Sequence, residues 1–262
     1  MFDLAAALDE PLSPGRHMPG DTMSPMTTSS ADPAVGSRYL LLVDISGYTS
    51  FLADVERAHG EDFSGGLPAG YRVLGELLDK IVGGIGPEFD LVKLEGDAVF
   101  GTAPAARLDG LGDTIVGRLT AMYAAFATQR AAMRSVSDDK CVACASVETL
   151  DLKAVLHRGL AVAQRVGGTE DLHGPAVNAA HRLLKNTIRD RIGYRPYLFV
   201  TSPAAAGLGL GSRGFEHVET YADVGRIEGR VLDLAEIAGV APAVPPIAPG
   251  ATEGWPNLSI VS

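Results

Sequence analysis

The chain has 262 residues, a formal net charge of −10, 46% hydrophobic residues and 21% charged residues. This composition is that of a globular protein able to bury a sizeable core. The acidic balance argues against a nucleic-acid partner, because no basic stripe is present to neutralise phosphates. The longest apolar runs, such as Leu40–Val43, are far shorter than the ~20 residues of a membrane span, so we expect no membrane association.

The two cysteines, Cys141 and Cys144, are too few for a disulfide framework. The N-terminus also lacks the layout of a secretory signal, so the sequence predicts a cytoplasmic protein. The cysteine pair has the spacing of metal ligands, but a zinc site needs further ligands such as His157 or His173. An ordinary pair of reduced thiols is therefore the favoured interpretation.

Both ends of the chain have the composition of tails. Residues 1–37 are rich in Pro, Ser, Thr and Gly and show no hydrophobic period, which predicts a disordered tail. Residues 239–262 form a Pro/Ala-rich stretch that predicts an extended tail. Residues 38–238 are predicted to form a single domain.

Short apolar runs within the domain predict strands, and apolar stripes with a helical period predict helices. In chain order we predict a strand at Tyr39–Val43, a helix from about Thr49, a break at Gly65–Gly66, a helix with an apolar face from Val73 to Val82, strands at Phe89–Lys93 and Ala98–Gly101, a helix over about 113–134, strands at Leu152–His157 and Leu160–Val166, a helix over about Ala176–Ile188, and strands at Tyr197–Thr201, Phe215–Thr220 and Val231–Leu234. This order predicts an α+β fold, with a mixed sheet compatible with a ferredoxin-like core and helices packed on one side.

Asp44 ends the first predicted strand and precedes a small, turn-prone stretch, Ile45–Thr49. A carboxylate in this position can hold a hard cation, and the free N–H groups at the start of the following helix can receive phosphate oxygens. A helix-capping or turn aspartate is the simpler interpretation of Asp44 taken alone.

Asp97 follows the turn of a predicted hairpin at Glu95–Gly96. If the hairpin lies beside the strand that ends at Asp44, the two carboxylates converge and can bridge two divalent cations, as in phosphoryl-transfer sites. Turn composition alone is the simpler explanation of this aspartate.

Gly174-Pro175 opens a later helix, on which Asn178 and Arg182 are four residues apart and share one face. An amide and a guanidinium together can position a ribose and stabilise charge on a pentavalent phosphate. For this pair alone, a solvated helix face is favoured.

Taken together, these segments resemble the class III adenylyl/guanylyl cyclase catalytic domain over roughly residues 38–238. The stretch Asp44–Thr49 is similar to the first metal-binding motif of that family, and Lys93 followed by Gly96-Asp97 is similar to its Lys-x-x-Gly-Asp motif. Asp171, Asn178 and Arg182 match, in order and spacing, the base-recognising aspartate and the two transition-state residues. The stretches 181–186 and 141–144 further resemble a bacterial cyclase-like subfamily of unknown function.

The resemblance implies a class III nucleotide cyclase fold, with a palm-type mixed sheet, and an adenylyl cyclase that forms 3′,5′-cyclic AMP and pyrophosphate from ATP. Two divalent cations, Mg²⁺ or Mn²⁺, would assist the attack of the ribose 3′-hydroxyl on the α-phosphate. The residues implied are Asp44, Ile45 and Asp97 for the metals, Asn178 for the ribose, Arg182 for the developing charge, Lys93 and Asp171 for adenine, and Arg230 (with Arg226 as the alternate) for the phosphates.

Active sites of the family are shared between two chains, so the resemblance also implies a homodimer with two sites and ATP as the substrate. Two alternatives stay open. One is a non-catalytic nucleotide-binding regulatory module with the cyclase fold, and the other is a cyclase for another nucleoside triphosphate.

Overall fold

The computed structural model describes residues 34–60, 64, 69–136, 146–166, 169–193, 196–241 and 243. Its strands are β1 (Ala34–Ser46), β2 (Asp90–Glu95), β3 (Ala98–Pro104), β4 (Asp151–Val166), β5 (Thr169–His173), β6 (Tyr197–Thr201), β7 (Phe215–Tyr221) and β8 (Gly225–Asp233). Its helices are α1 (Tyr48–His59), α2 (Ala69–Ile85), α3 (Ala105–Leu108), α4 (Gly112–Val136), a 3₁₀ turn (Ser146–Thr149), α5 (Pro175–Leu183), α6 (Ile188–Ile192), α7 (Ser202–Leu208) and α8 (Leu234–Ala238).

The described strands form one mixed sheet in the order β2-β3-β1-β4-β6-β8-β7, with β5 paired to β4. The β4–β6 pairing is parallel, and the other pairings are antiparallel. Strand β1 therefore lies between β3 and β4. Asp44, near the end of β1, lies beside the starts of β3 and β4. This residue pairs with Ala98 on one side and with Lys153 on the other.

The side chains of β1 alternate between two buried faces. Leu41 and Val43 pack in the larger core, with α1, α2 and α4, whereas Leu40 and Leu42 pack under α5 on the opposite face. Burial on both faces explains the uninterrupted apolar run in the sequence. The α+β prediction is confirmed, and the long helices cover one face while α5 and α6 lie on the other.

Strand β4 is continuous from Asp151 to Val166, so the prediction of two strands separated near Gly159 is wrong. Gly159 pairs with Arg38 inside the ladder. A Cβ at Gly159 would lie only 2.7 Å from the Cβ of Ala176. The glycine is therefore required for the close approach of α5 to the sheet and does not mark a turn.

The helix predicted over Ala176–Ile188 is divided in the structure, ending at Leu183 and restarting at Ile188. The Asn186 side chain donates to the Leu183 carbonyl and accepts from the Ile188 N–H. These local bonds replace the helical ladder between α5 and α6.

The ends of the domain extend beyond the predicted boundaries. Strand β1 begins at Ala34, so the last residues of the predicted N-terminal tail belong to the sheet. Ala243, in the predicted C-terminal tail, is buried and donates its N–H to Asp151 Oδ2 at 2.8 Å. Residues 1–33 and 244–262 lie outside the described residues, as do Gly65–Gly66 and 141–144.

Several short elements were missed by the periodicity argument, because β5, α7 and α8 have seven or fewer residues. Strand β8 also begins at Gly225, earlier than the predicted start at Val231. None of the helices in the described ranges combines the length and the apolar character needed to cross a bilayer.

Two adjacent glycines of α2 give a matched test of its packing on α4. A Cβ at Gly84 would lie 2.5 Å from Met122 Cγ and 3.1 Å from its Cα, whereas a Cβ at Gly83 would meet nothing within 4 Å. We expect Gly84→Ala to lower the free energy of unfolding by about 1–3 kcal/mol through overpacking. Gly83→Ala should raise it by about 0.5–1 kcal/mol through helix propensity. Urea titrations of both variants check this, and equal effects would contradict the packing.

Candidate active site

The two predicted metal-binding carboxylates lie side by side in the structure. Asp97 is in the turn between β2 and β3, and the Ile45 N–H donates to its main-chain oxygen at 3.1 Å. Burial raises the pKa of Asp97, and the negative charge of Asp44 raises it further. The hairpin thus lies beside the end of β1, as the sequence argument required.

Lys153 supplies a positive charge beside this pair. It faces Asp44 across the β1–β4 ladder, and its Nζ lies 3.0 Å from Asp44 Oδ2. The sequence motifs predicted no role for Lys153. Its signal was a single charged residue in the otherwise apolar run Leu152–Leu156.

These groups open into a cavity of about 780 Å³. The start of α1 forms part of its wall, and Gly47 adopts a left-handed conformation (φ 93°) just before this helix. No side chain within the described ranges caps α1, and the first turn of this helix contains no acidic residue. Its first N–H groups therefore remain available for an anion, and the helix dipole favours negative charge there. The lining of this cavity also includes Lys185, Asn186 and Arg189.

The donor set fits a hard divalent cation such as Mg²⁺ or Mn²⁺. Asp44 and Asp97 are two carboxylates that repel one another, and a cation between them relieves that repulsion. Mg²⁺ is commonly bound through one or two carboxylates, substrate phosphates and water. Among the described residues no cluster of three or more His, Cys, Asp or Glu could hold a metal unaided. Water or the phosphate of a bound ligand would supply the other positions of the cation.

The two predicted base-recognising residues are also brought together. Lys93 Nζ on β2 lies 3.7 Å from Asp171 Oδ1 on β5 and 3.1 Å from Glu95 Oε1. His181 Nε2 on α5 lies 3.0 Å from the Glu95 carboxylate. Burial would raise the pKa of Glu95, but the hydrogen bonds with Lys93 and His181 outweigh it and hold that pKa below its ordinary value. The ammonium and the Asp171 carboxylate remain partly exposed.

Asn178 and Arg182 lie on α5, and both are exposed. The Arg182 guanidinium donates through Nε and NH2 to Asp223 Oδ2, at 2.8 and 2.5 Å. Asp223 lies in the turn between β7 and β8. Neither α5 residue is among the described residues that line the cavity beside Asp44.

The structure separates Arg230 from the other candidates. Its guanidinium donates to the main-chain oxygens of Ser212, Arg213 and Gly214, at 2.5–2.8 Å, and so holds the loop before β7. The alternate, Arg226, pairs with Glu228. Both arginines line a different cavity, of about 680 Å³, beside β7 and β8.

A family model described as a protein of unknown function (DUF2652) matches residues 74–192. The uncharacterized protein Rv2561/Rv2562 of Mycobacterium tuberculosis (strain ATCC 25618 / H37Rv) is 31% identical over 157 residues. That alignment covers 59% of this chain and 70% of the mycobacterial protein.

Among solved structures, the adenylyl cyclase CyaB from P. aeruginosa superposes with a TM-score of 0.54 at 14% identity, covering 77% of this chain and 96% of CyaB. A bacterial light-regulated adenylyl cyclase superposes with a TM-score of 0.52 at 16% identity, covering 80% of this chain. This chain spans only 57% of that light-regulated protein. At these identities the likeness shows the fold, which is that of nucleotide cyclase domains.

The raised pKa of Asp97 yields a prediction about stability. A carboxyl with a higher pKa in the folded than in the unfolded chain makes folding less favourable as the pH rises above its ordinary value of 3.8. We therefore expect Asp97→Asn to raise the melting temperature at pH 7 in chelator. The gain should shrink as the pH falls through the raised pKa of Asp97 and disappear below 3.8, where the carboxyl is mostly protonated in both states.

Asp54→Asn is the matched control, because Asp54 lines the same cavity but is paired with Arg57 at 2.6 Å. This variant should give no gain at pH 7. Differential scanning fluorimetry across the pH series makes the comparison. A lower melting temperature for Asp97→Asn at pH 7 would refute the repulsion between the two carboxylates.

Proposed function

This chain belongs to the family of the Mycobacterium tuberculosis protein Rv2561/Rv2562, and we propose that it is a nucleotide cyclase that forms cyclic AMP and pyrophosphate from ATP. One observation carries the proposal. Asp44 and Asp97 converge beside the uncapped start of α1, over a cavity of about 780 Å³, in a fold shared with adenylyl cyclases.

Asp44 and Asp97 would hold two divalent cations, with the main chain at Ile45 as a further ligand. Such cations lower the pKa of the ribose 3′-hydroxyl and neutralise the triphosphate when bound. The N–H groups at the start of α1 receive phosphate oxygens. Lys153, which balances Asp44 in the structure, keeps a positive charge beside the carboxylates.

Two residues of α5 would orient the ribose and stabilise the transition state. Asn178 orients the ribose, and Arg182 donates to the α-phosphate as negative charge develops on it. Arg182 first has to exchange Asp223 for the phosphate. Both members of this ion pair are nearly half exposed, so little free energy opposes the exchange.

We propose a homodimer because the candidate residues of one chain divide into separate groups. The carboxylates line one cavity, and neither the Lys93–Asp171 pair nor the α5 residues are among the described residues that line it. A second copy would bring these groups to the carboxylates. Val35 and Leu160, on adjacent strands, are 68% and 64% exposed and offer an apolar surface for such a contact.

Preference for ATP rests on Lys93 and Asp171. The ammonium can donate to adenine N1, and the carboxylate can accept from the 6-amino group. Guanine presents the opposite pattern at these two positions, a donor at N1 and an acceptor at O6. Guanine bound in the same orientation would place a donor opposite the Lys93 ammonium and an acceptor opposite the Asp171 carboxylate.

The first test is turnover with each of the four nucleoside triphosphates and Mg²⁺ or Mn²⁺, with cyclic product detected by mass spectrometry. We expect ATP to give cyclic AMP. Asp44→Asn and Arg182→Ala should each lower kcat by at least about a hundredfold, because they remove a metal ligand and a charge-stabilising donor.

Asp54→Asn is the control for these variants, since it also removes one negative charge from the cavity wall. It should retain nearly native turnover, because its carboxylate is paired with Arg57. An absence of product from all four nucleotides in the native protein would overturn the cyclase proposal in favour of a non-catalytic nucleotide-binding module.

A second test concerns the base. Lys93→Ala and Asp171→Ala should each raise the KM for ATP and lower the ratio of kcat/KM for ATP to that for GTP by about tenfold, through the loss of one hydrogen bond to a charged group. Steady-state kinetics with both nucleotides measure this ratio. An unchanged ratio in both variants, or a native preference for GTP, would remove the adenine assignment.

A further inference from the structure

We propose that Lys185 and Arg189 form a polyphosphate clamp that binds the β- and γ-phosphates of the nucleotide and, after turnover, the pyrophosphate product. The inference rests on the proposed function, since it assigns a subsite within the same cavity. Lys185 lies in the turn between α5 and α6, and Arg189 lies on α6. Both line the cavity that Asp44 and Asp97 also line.

The charges of the cavity support an anionic occupant with bound cations. Two further aspartates on its wall are already neutralised by arginines, Asp54 by Arg57 at 2.6 Å and Asp151 by Arg130 at 3.5 Å. Lys185 makes no ion pair within the described part of the chain. The aspartates of the cavity lining thus provide for cations, while the ammonium of Lys185 remains available for the oxygens that such cations do not reach.

The turn that carries Lys185 is fixed by Asn186. The Asn186 Oδ1 accepts from the Tyr197 hydroxyl at 2.8 Å and from the Ile188 N–H at 3.1 Å, while its Nδ2 donates to the Leu183 carbonyl at 2.7 Å. One side chain therefore ties the end of α5, the start of α6 and strand β6 together. A turn held in this way presents Lys185 and Arg189 from defined backbone positions.

A second anchor comes from β7. The buried Glu219 accepts from the N–H and the hydroxyl of Thr187, at 2.7 and 2.9 Å, and its carboxylate also contacts His217 Nε2 at 2.6 Å. Glu219 and His217 are 4% and 8% exposed. Burying a carboxylate is unfavourable unless its hydrogen bonds are satisfied. Here the satisfied carboxylate holds the turn between the two cationic residues.

Preorganised cations bind polyphosphate better than cations on a mobile loop, because less side-chain and loop entropy is lost on binding. Lysine and arginine are both suited to phosphate oxygens, lysine as a compact charge and arginine through a planar fork. A polyphosphate chain spans several ångströms, and the metal-binding carboxylates and the clamp line the same cavity. A nucleoside monophosphate lacks the outer phosphates that the clamp would bind.

Inorganic tripolyphosphate with Mg²⁺ is the probe, because it contains neither base nor ribose. We expect Lys185→Ala and Arg189→Ala in the full chain each to weaken its binding about tenfold, as for the loss of a charged hydrogen bond. AMP binding should stay within about twofold of native, since AMP has no β- or γ-phosphate. Isothermal titration calorimetry measures both ligands.

Lys80→Ala is the matched control, because Lys80 is an exposed lysine of α2 that does not line the cavity. It removes the same charge and should leave tripolyphosphate binding unchanged. Melting temperatures equal to native would show that the clamp variants are folded, and Lys185→Gln should repeat the loss.

Three results would overturn the clamp. They are native affinity for tripolyphosphate in both alanine variants, an equal loss in Lys80→Ala, and no tripolyphosphate binding by the native protein. Loss of tripolyphosphate binding in the variants, with no cyclic product from the native protein, would support the clamp and overturn the proposed function. The two failures are therefore distinguishable.

Discussion

Asp44 and Asp97 are held close enough for the charge of Asp44 to raise the pKa of Asp97. The pairing of strand β1 with its two neighbours fixes the positions of these carboxylates. The β1–β3 register sets Asp44 opposite Ala98, the residue directly after Asp97. The β1–β4 register sets Lys153 opposite the same aspartate. Because the two buried faces of β1 pack against different helices, a slip of either register by one residue would move every β1 side chain into the wrong core.

The convergence of the two carboxylates was predictable because it depends on local features. A polar residue at the end of an apolar strand and a tight turn in a neighbouring hairpin both leave clear signals in the sequence. The proximity of Lys93 and Asp171 followed from the motif resemblance, although the two residues are far apart in the chain. The structure brings them together because β5 folds back on β4.

Other parts of the site depend on distant partners and could not be read from the sequence. The break between α5 and α6 occurs where Glu219, on a later strand, bonds to Thr187. The helical period of the sequence alone predicted one helix that continues through this segment. Arg230 shows the same limitation, since the carbonyls that it holds belong to the loop before β7. A lone basic residue gives no sequence signal of main-chain partners in a distant loop.

The proposed division of labour between two chains follows from the same geometry. One chain presents its carboxylates in a cavity and carries Asn178 and Arg182 on an exposed helix face elsewhere. In a symmetric pair, each site would take its metal ligands from one copy and its arginine from the other. The exposed apolar residues on β1 and β4 provide a surface on which such a pair can form.

Complementation between two inactive variants tests this account most directly. Asp44→Asn and Arg182→Ala chains are co-expressed with different tags, and the mixed dimers are purified through both tags. One site in each mixed dimer carries both changes and the other carries neither, so we predict about half of the native cyclase activity per dimer. Mixed dimers as inactive as either variant alone would contradict the shared site.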